Sequence, residues 1–143
     1  MPVLALNDAV ITVAGTAVTS RANSVTLNYE VDSIEVTAFG DVGRRFAGSL
    51  QNNSIEISLM QDFATVLPAG SPTTSVDGLI YPLVGTTTTV TVKATSAATS
   101  TTNPIFTLTG TFLSSHTPVA GGVGELVVTT LSFTGGTLTK ATT

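Results

Sequence analysis

The chain's single histidine, His116, stands in the run SSHTP behind Ser114 and Ser115. Ser, His and a carboxylate make a hydrolytic triad only when they converge in space. The run lacks a G-x-S-x-G context that would present a serine on a strand-to-helix elbow. His116 is therefore read as a loop histidine following a strand. Glu30, Asp32, Glu35 and Asp41 lie close together, and paired carboxylates serve glycosidases and Ca²⁺ sites. Yet Glu30, Asp32 and Glu35 occupy polar positions of alternating strands or their turn, which is the pattern of a solvated acidic face. The dense Asp/Asn alternation of a calcium loop is missing. Gly40-Asp-Val-Gly43 and Gly121-Gly-Val-Gly124 lack the Lys-Ser/Thr ending of a phosphate loop and read as turn glycines.

Arg44-Arg45 is the most informative pair. Two of the five cations sit together in FGDVGRRFAGS, Phe39–Ser49, between Phe39 and Phe46. Three glycines punctuate this excursion. Either it folds back and its phenyl rings join the core, or it inserts into a neighbouring subunit. The planar guanidinium fork suits the second case, because it grips carboxylates bidentately and stacks on aromatic rings. Carboxylates of the Glu30–Asp41 region, or Glu56 and Asp62, would be its partners.

Composition narrows the remaining chemistry. The 143 residues suit one domain. Cysteine is absent, which removes disulfides, thiolate metal sites and cysteine nucleophiles. One histidine cannot build a multi-His metal centre. Five Lys/Arg against nine Asp/Glu give a net charge of −4, unsuited to a basic nucleic-acid groove. No apolar run is long enough to span a bilayer, so no membrane partner is expected. The start, MPVLALNDAVITVAG, has no basic n-region and carries Asp8, so it does not read as a secretory signal. Charged residues are only 10% of the chain, well below an ordinary soluble domain. Something other than charge must cover the surface. No cofactor or metal is implied and no catalytic role is expected.

The elements that must position these residues are strands. Threonine (28 residues) and valine (17) are β-branched and favour pleated sheets over long helices. Ser24–Val31 alternates with Val25, Leu27, Tyr29 and Val31 on one face. Asp32-Ser33 reads as a turn and Ile34, Val36 and Ala38 as the next strand, so that the two runs make a hairpin or one bulged strand. Leu50–Met60 resumes the alternation, with Asn52-Asn53 marking a bulge or turn. Ser75–Leu83 carries the one good helix signal: Ser75 as N-cap, Asp77 in the first turn, and Val76, Leu79, Ile80 and Leu83 on one stripe. Pro82 limits its length. Asp62–Leu67 is a second, shorter helical candidate, followed by a loop over Pro68–Ser75. Thr87–Ala94, Pro104–Ser114 (Phe106, Leu108 and Phe112 inward) and Gly124–Phe133 are further strands, and GGTLTKATT can add an edge strand and a loose tail. Seven or eight strands and one short flanking helix predict a mostly β domain, a sandwich or barrel.

The runs SVTLNYEVDSIEVTAFGDVGRRFAGSLQNNSIEISLMQDFA, LIYPLVGTTTTVTVKATSAATSTTNPIFTLTGTF and HTPVAGGVGELVVTTLSF resemble the major tail tube proteins of long-tailed (siphovirus-type) phages, particularly those of actinobacteria. The likeness extends roughly over Ser24–Phe133. It implies a single tail tube domain over residues 1–143, with an extended N-terminal segment over about 1–20 and a loop over about 39–49 that reaches the adjoining ring. It further implies hexameric rings that stack into a hollow tube. The implied partners are further copies of the chain, the tape measure protein, and tail terminator and tip proteins. DNA would transit the lumen without specific binding. The implied location is the virion tail, assembled in the host cytoplasm. Phe39, Asp41, Arg44, Arg45 and Phe46 become the candidate inter-subunit contacts. Two other readings stand beside this one. A capsid decoration or head–tail connector protein would share the β composition. A carbohydrate-binding or hydrolytic β domain would want surface aromatics, and the chain has no Trp and two Tyr.

Overall fold

β-Branched and aliphatic residues at alternate positions generate nearly all of the regular structure. The computed structural model describes residues 6–61, 63 and 75–143. Among them run β1 (Val10–Val13), β2 (Thr16–Ala17), β3 (Ala22–Asn28), β4 (Val31–Glu35), β5 (Phe46–Gln51), β6 (Ser54–Met60), helix α1 (Val76–Ile80), β7 (Thr87–Lys93), β8 (Ile105–His116), β9 (Val128–Thr134) and β10 (Thr137–Ala141). Eight strands form one antiparallel sheet in the order β2-β1-β7-β8-β9-β6-β3, with β10 also pairing β8. The mostly β class with one short helix is thus the observed one.

The inward face of the sheet is aliphatic. Ile55, Ile57 and Leu59 of β6 alternate inward beside Leu131 and Phe133 of β9, Leu108 and Leu113 of β8, Val90 of β7 and Ile11 and Val13 of β1. Helix α1 closes this core with Val76, Leu79 and Ile80. Its cap is as expected: the Ser75 hydroxyl accepts a hydrogen bond from the Gly78 amide at 3.2 Å. Pro82 then stands in a tight 3₁₀ turn, Tyr81–Leu83, that ends the helix. The sheet curls, because the turn after β2 joins its two ends. The Val18 amide donates to the Ile11 carbonyl of β1, and the Ala22 amide of β3 donates to the Val18 carbonyl.

Four expectations are corrected. The strand that starts as β3 stops at Asn28, so Tyr29 and Val31 do not share the buried face of Val25 and Leu27. Asp32-Ser33 is not a turn but part of β4, which leaves the large sheet and pairs only with β5. Phe112 faces outward. Its register against β7 passes from Thr88↔Thr111 to Val90↔Leu108, one extra residue on β8, and Gly110 (φ +71°) takes up the bulge. Side chains beyond the bulge change faces, so Thr111 and Leu113 turn inward. His116 is not on a loop: it ends β8, opposite Leu131. The expected turn at Asn52-Asn53 does break Leu50–Met60 into β5 and β6. The helical candidate over 62–67 and the loop over 68–74 fall outside the described residues apart from Phe63. The segment over 10–17, expected as extended, forms β1 and β2.

Candidate functional site

Among the described residues β4 and β5 pair only with each other. Their register is Val31↔Gln51, Ser33↔Gly48, Ile34↔Ala47 and Glu35↔Phe46. They make a hairpin arm in which every residue from Asn28 through Asn52 is exposed except Asp41. Ten residues out to the tip reach roughly 30 Å at ~3.3 Å per residue. The Phe39–Ser49 excursion is therefore the tip and return strand of a longer arm. Its rings do not fold back into the core, since Phe39 is 109% and Phe46 59% exposed.

The arm carries apolar groups on both of its faces. Cross-strand partners share a face, so Phe46 lies with Glu35, while Ile34 lies with Ala47. Val36 is on the Ile34 side by alternation, and its amide donates to the Arg45 carbonyl. Val31, Ile34, Val36, Val42 and Leu50 are all exposed large hydrophobics. A ribbon that only decorates the surface of its own subunit would keep one polar face. A contiguous exposed apolar element of this kind marks a site of association.

Asp41 shapes the tip. Its Oδ2 accepts from the Ala38 amide at 2.7 Å, and its own amide donates to the Ala38 carbonyl at 3.1 Å. Gly40, at φ +97°, makes the reversal that a side chain would strain. The Thr37 hydroxyl accepts from the Arg45 amide at 3.0 Å. Both arginines find acids within the arm: Arg45 reaches Asp41 at 3.5 Å and Arg44 reaches Glu35 at 3.7 Å. Ion pairs this exposed contribute little to stability, so the guanidinium groups are held loosely and can exchange partners. The acidic residues do not converge. Glu30, Asp32, Glu35 and Asp41 are strung along the arm from root to tip, and Glu56 lies on the outward face of β6. Asp62 lies outside the described residues. Among the described residues there is no group of three or more His, Asp or Glu that could hold a metal ion.

The root of the arm is rigid, and sequence reasoning found only its position. Asn53 is buried. Its Oδ1 accepts from the Glu30 amide at 3.3 Å, and its Nδ2 donates to Gln51 Oε1 at 2.8 Å and to the Gly136 carbonyl at 3.1 Å. The Asn53 carbonyl accepts from the Gly135 amide at 2.8 Å. One side chain thus ties the end of the arm to the β9–β10 junction. The signal was the Asn-Asn pair interrupting an aliphatic strand.

The hydrolytic alternative has no geometry behind it. The partner of His116 Nδ1 is Thr129 Oγ1 at 2.8 Å, not Ser114 or Ser115, and Thr129 is fully buried. Ser114 donates instead to the Ser132 carbonyl at 3.0 Å. The imidazole, only 3% exposed, faces Asp77 through Nε2 at 3.9 Å. Burial pushes its pKa below 6.5, against the opposing pull of the Asp77 carboxylate. The Gly121–Gly124 turn is filled by its own acid, for the Gly122 amide donates to Glu125 Oε2 at 2.9 Å. Among the described residues no helix is long and apolar enough to cross a membrane.

No protein-family model and no curated protein matches the chain. Solved structures do share its fold. A chain of the sheath/tube terminator of an extracellular contractile injection system, PVC, in its extended state superposes with a TM-score of 0.69 at 13% identity, over 99% of this chain and 98% of that one. The anti-feeding prophage cap, which terminates that particle's tube, gives 0.67 at 14% identity over 100% and 93%. The virion of a native gene transfer agent particle gives 0.60 at 14% identity over 94% and 95%. The fold is that of components of phage-like tails and injection systems.

Proposed function

We propose that this chain is a structural, non-catalytic protein, the major tube subunit of a long-tailed phage tail. One tube domain associates with five further copies into a ring, and rings stack into the hollow tube. The observation that carries this reading is the arm, a ribbon apolar on both faces that its own subunit leaves uncovered. Open sheet edges supply the lateral contacts. Among the described residues β3 pairs only with β6 and β10 only with β8. An unpaired edge templates a further strand. The arm supplies the contact between rings, with Phe39, Asp41, Arg44, Arg45 and Phe46 as its binding residues. Low charge suits a surface spent on subunit contacts, and net negative charge lets a phosphate backbone slide past without binding. The tape measure protein fills the lumen before DNA does, and terminator and tip proteins close the ends. The tail is assembled in the host cytoplasm and works in the virion.

The test is the double variant Arg44→Ala, Arg45→Ala. Circular dichroism and thermal melting are expected to be unchanged, since both side chains are exposed. Negative-stain microscopy is expected to show the loss of tubes. Wild-type tube yield from the folded double variant refutes the arm as the contact between rings.

A further inference from the structure

The arm leaves the body where β3, β6 and β9 meet, and a groove opens beside the end of β8 and the turn after helix α1. The arm's root adjoins the register positions Asn28↔Ser54 and Ser54↔Thr134. β6 and β9 run seven residues from there, roughly 20 Å, to the pair Met60↔Val128. Beyond that end the Gln61 side chain donates to the Pro118 carbonyl at 2.8 Å. Pro118, Tyr81, Val84 and His116 line a groove of about 360 Å³.

Three properties of the groove ask for an occupant. Its rim is apolar and uncovered, with Tyr81 68% exposed and Val84 exposed beside it. Its wall includes the enclosed imidazole of His116, whose Nε2 is buried without a hydrogen-bond partner. The Thr129 hydroxyl occupies Nδ1, and a buried polar atom left without a partner is costly. The third property is charge: Asp77 lies 3.9 Å from that nitrogen and is partly open to solvent.

We infer that this groove receives the arm tip of a second copy of the chain. The inference rests on the reading of the arm given above and names the surface on which it lands. The tip offers the complementary set: the fully exposed Phe39 and Val42 for the apolar rim, and Arg44 and Arg45 for Asp77. Backbone groups of the glycine-containing turn supply a hydrogen-bond partner for Nε2. Tip and groove are different surfaces of the chain, and that decides the kind of contact. A protrusion that lands on a different surface of the next copy makes a head-to-tail contact, which runs on from copy to copy instead of closing as a dimer does. The cleft between β1 and β3, about 290 Å³ and also remote from the arm's root, fits the tip less well. Its carboxylate, Asp8, is already engaged by the Ser96 hydroxyl at 2.9 Å and amide at 3.3 Å.

The absence of native cysteine makes the contact directly testable. In the full chain, Phe39→Cys combined with Val84→Cys is expected to give a disulfide-linked ladder when assembled tubes are mildly oxidised. Val42→Cys with Pro118→Cys is the second pair. Tubes that form without a ladder from either pair overturn the groove. So does a ladder formed only when the second cysteine is at Asn23 in the other cleft. Independently of cysteine, Val84→Arg sets a like charge against the incoming arginines. It is expected to leave melting unchanged and to raise the protein concentration needed for tubes at least tenfold. Wild-type assembly by Val84→Arg overturns the groove as well. The two readings fail differently. If Arg44→Ala, Arg45→Ala abolishes tubes while Val84→Arg does not, only the landing site falls. If neither variant affects tubes, the arm reading falls with it.

Discussion

Replacing Phe39 with alanine isolates the apolar part of the arm's contact from its charges. In the subunit the ring touches nothing that covers it, with a relative exposure of 109%. Its removal therefore has no folding cost to speak of, and the melting temperature is expected to stay within about 1 °C of the parent. In the proposed stack the ring would be buried against a neighbour, and burying a phenylalanine side chain stabilises by ~1.5–3 kcal/mol. On that proposal each subunit added to a growing tube completes one arm contact with the layer below. The full loss therefore falls on the equilibrium constant for addition. At 1.4 kcal/mol per tenfold, the critical concentration for polymerisation rises roughly 10- to 150-fold. The assay is light scattering or sedimentation across a dilution series, with microscopy to confirm that the pelleted material is tubes. Phe39→Leu keeps most of the apolar area and is expected to fall between the two. A critical concentration within twofold of the parent for folded Phe39→Ala would show that the ring stays in water in the assembly. The argument from exposed apolar surface would then be wrong at its most exposed residue.

The remaining predictions concern the frame that holds the arm. Asn53→Ala leaves the Glu30 amide and Gly136 carbonyl without their side-chain partner, costing about 1–3 kcal/mol. Differential scanning calorimetry should record this as a fall of roughly 3–10 °C. Gly136→Ala is more damaging: its Cβ would lie 2.7 Å from the Thr109 carbonyl oxygen, at φ +90°. Both obstacles are backbone, and denaturant titration should show a loss of about 2 kcal/mol or more. For His116, burial lowers the folded-state pKa below 6.5, so the unfolded chain binds the proton more readily. Stability from this group is full above pH 6.5 and is lost as pH falls toward the lowered value. Melting curves at pH 7.5 and 5.5 should show this drop, and His116→Gln should show a smaller one.

The body of the fold was legible because burial and alternation coincide there. Val90 and Val92 stand on one face of β7, and the Ser75 cap appears where the stripe of Val76, Leu79 and Ile80 begins. The arm was legible only as an anomaly. Ile34 and Val36 alternate as a buried strand does, because period two reports a pleated ribbon and not which layer covers it. On this chain the covering layer is absent from the subunit. The run Ser24–Val31 looked continuous for the same reason, although its first part joins β6 and Val31 joins β5. Phe112 was misassigned because one extra residue at Gly110 flips every later side chain, and a bulge leaves no mark beyond its glycine. The groove had no sequence signal at all. Tyr81, Val84, His116 and Pro118 come from two separate stretches that meet only when helix α1 packs against the end of β8.

Electron microscopy of the purified full chain over a rising concentration series tests the central claim most directly. The account predicts hollow tubes of stacked sixfold rings, with each arm crossing to the adjacent ring. Protein that stays monomeric at the highest concentrations reached, or tubes in which the arms lie free on the outer surface, would contradict it.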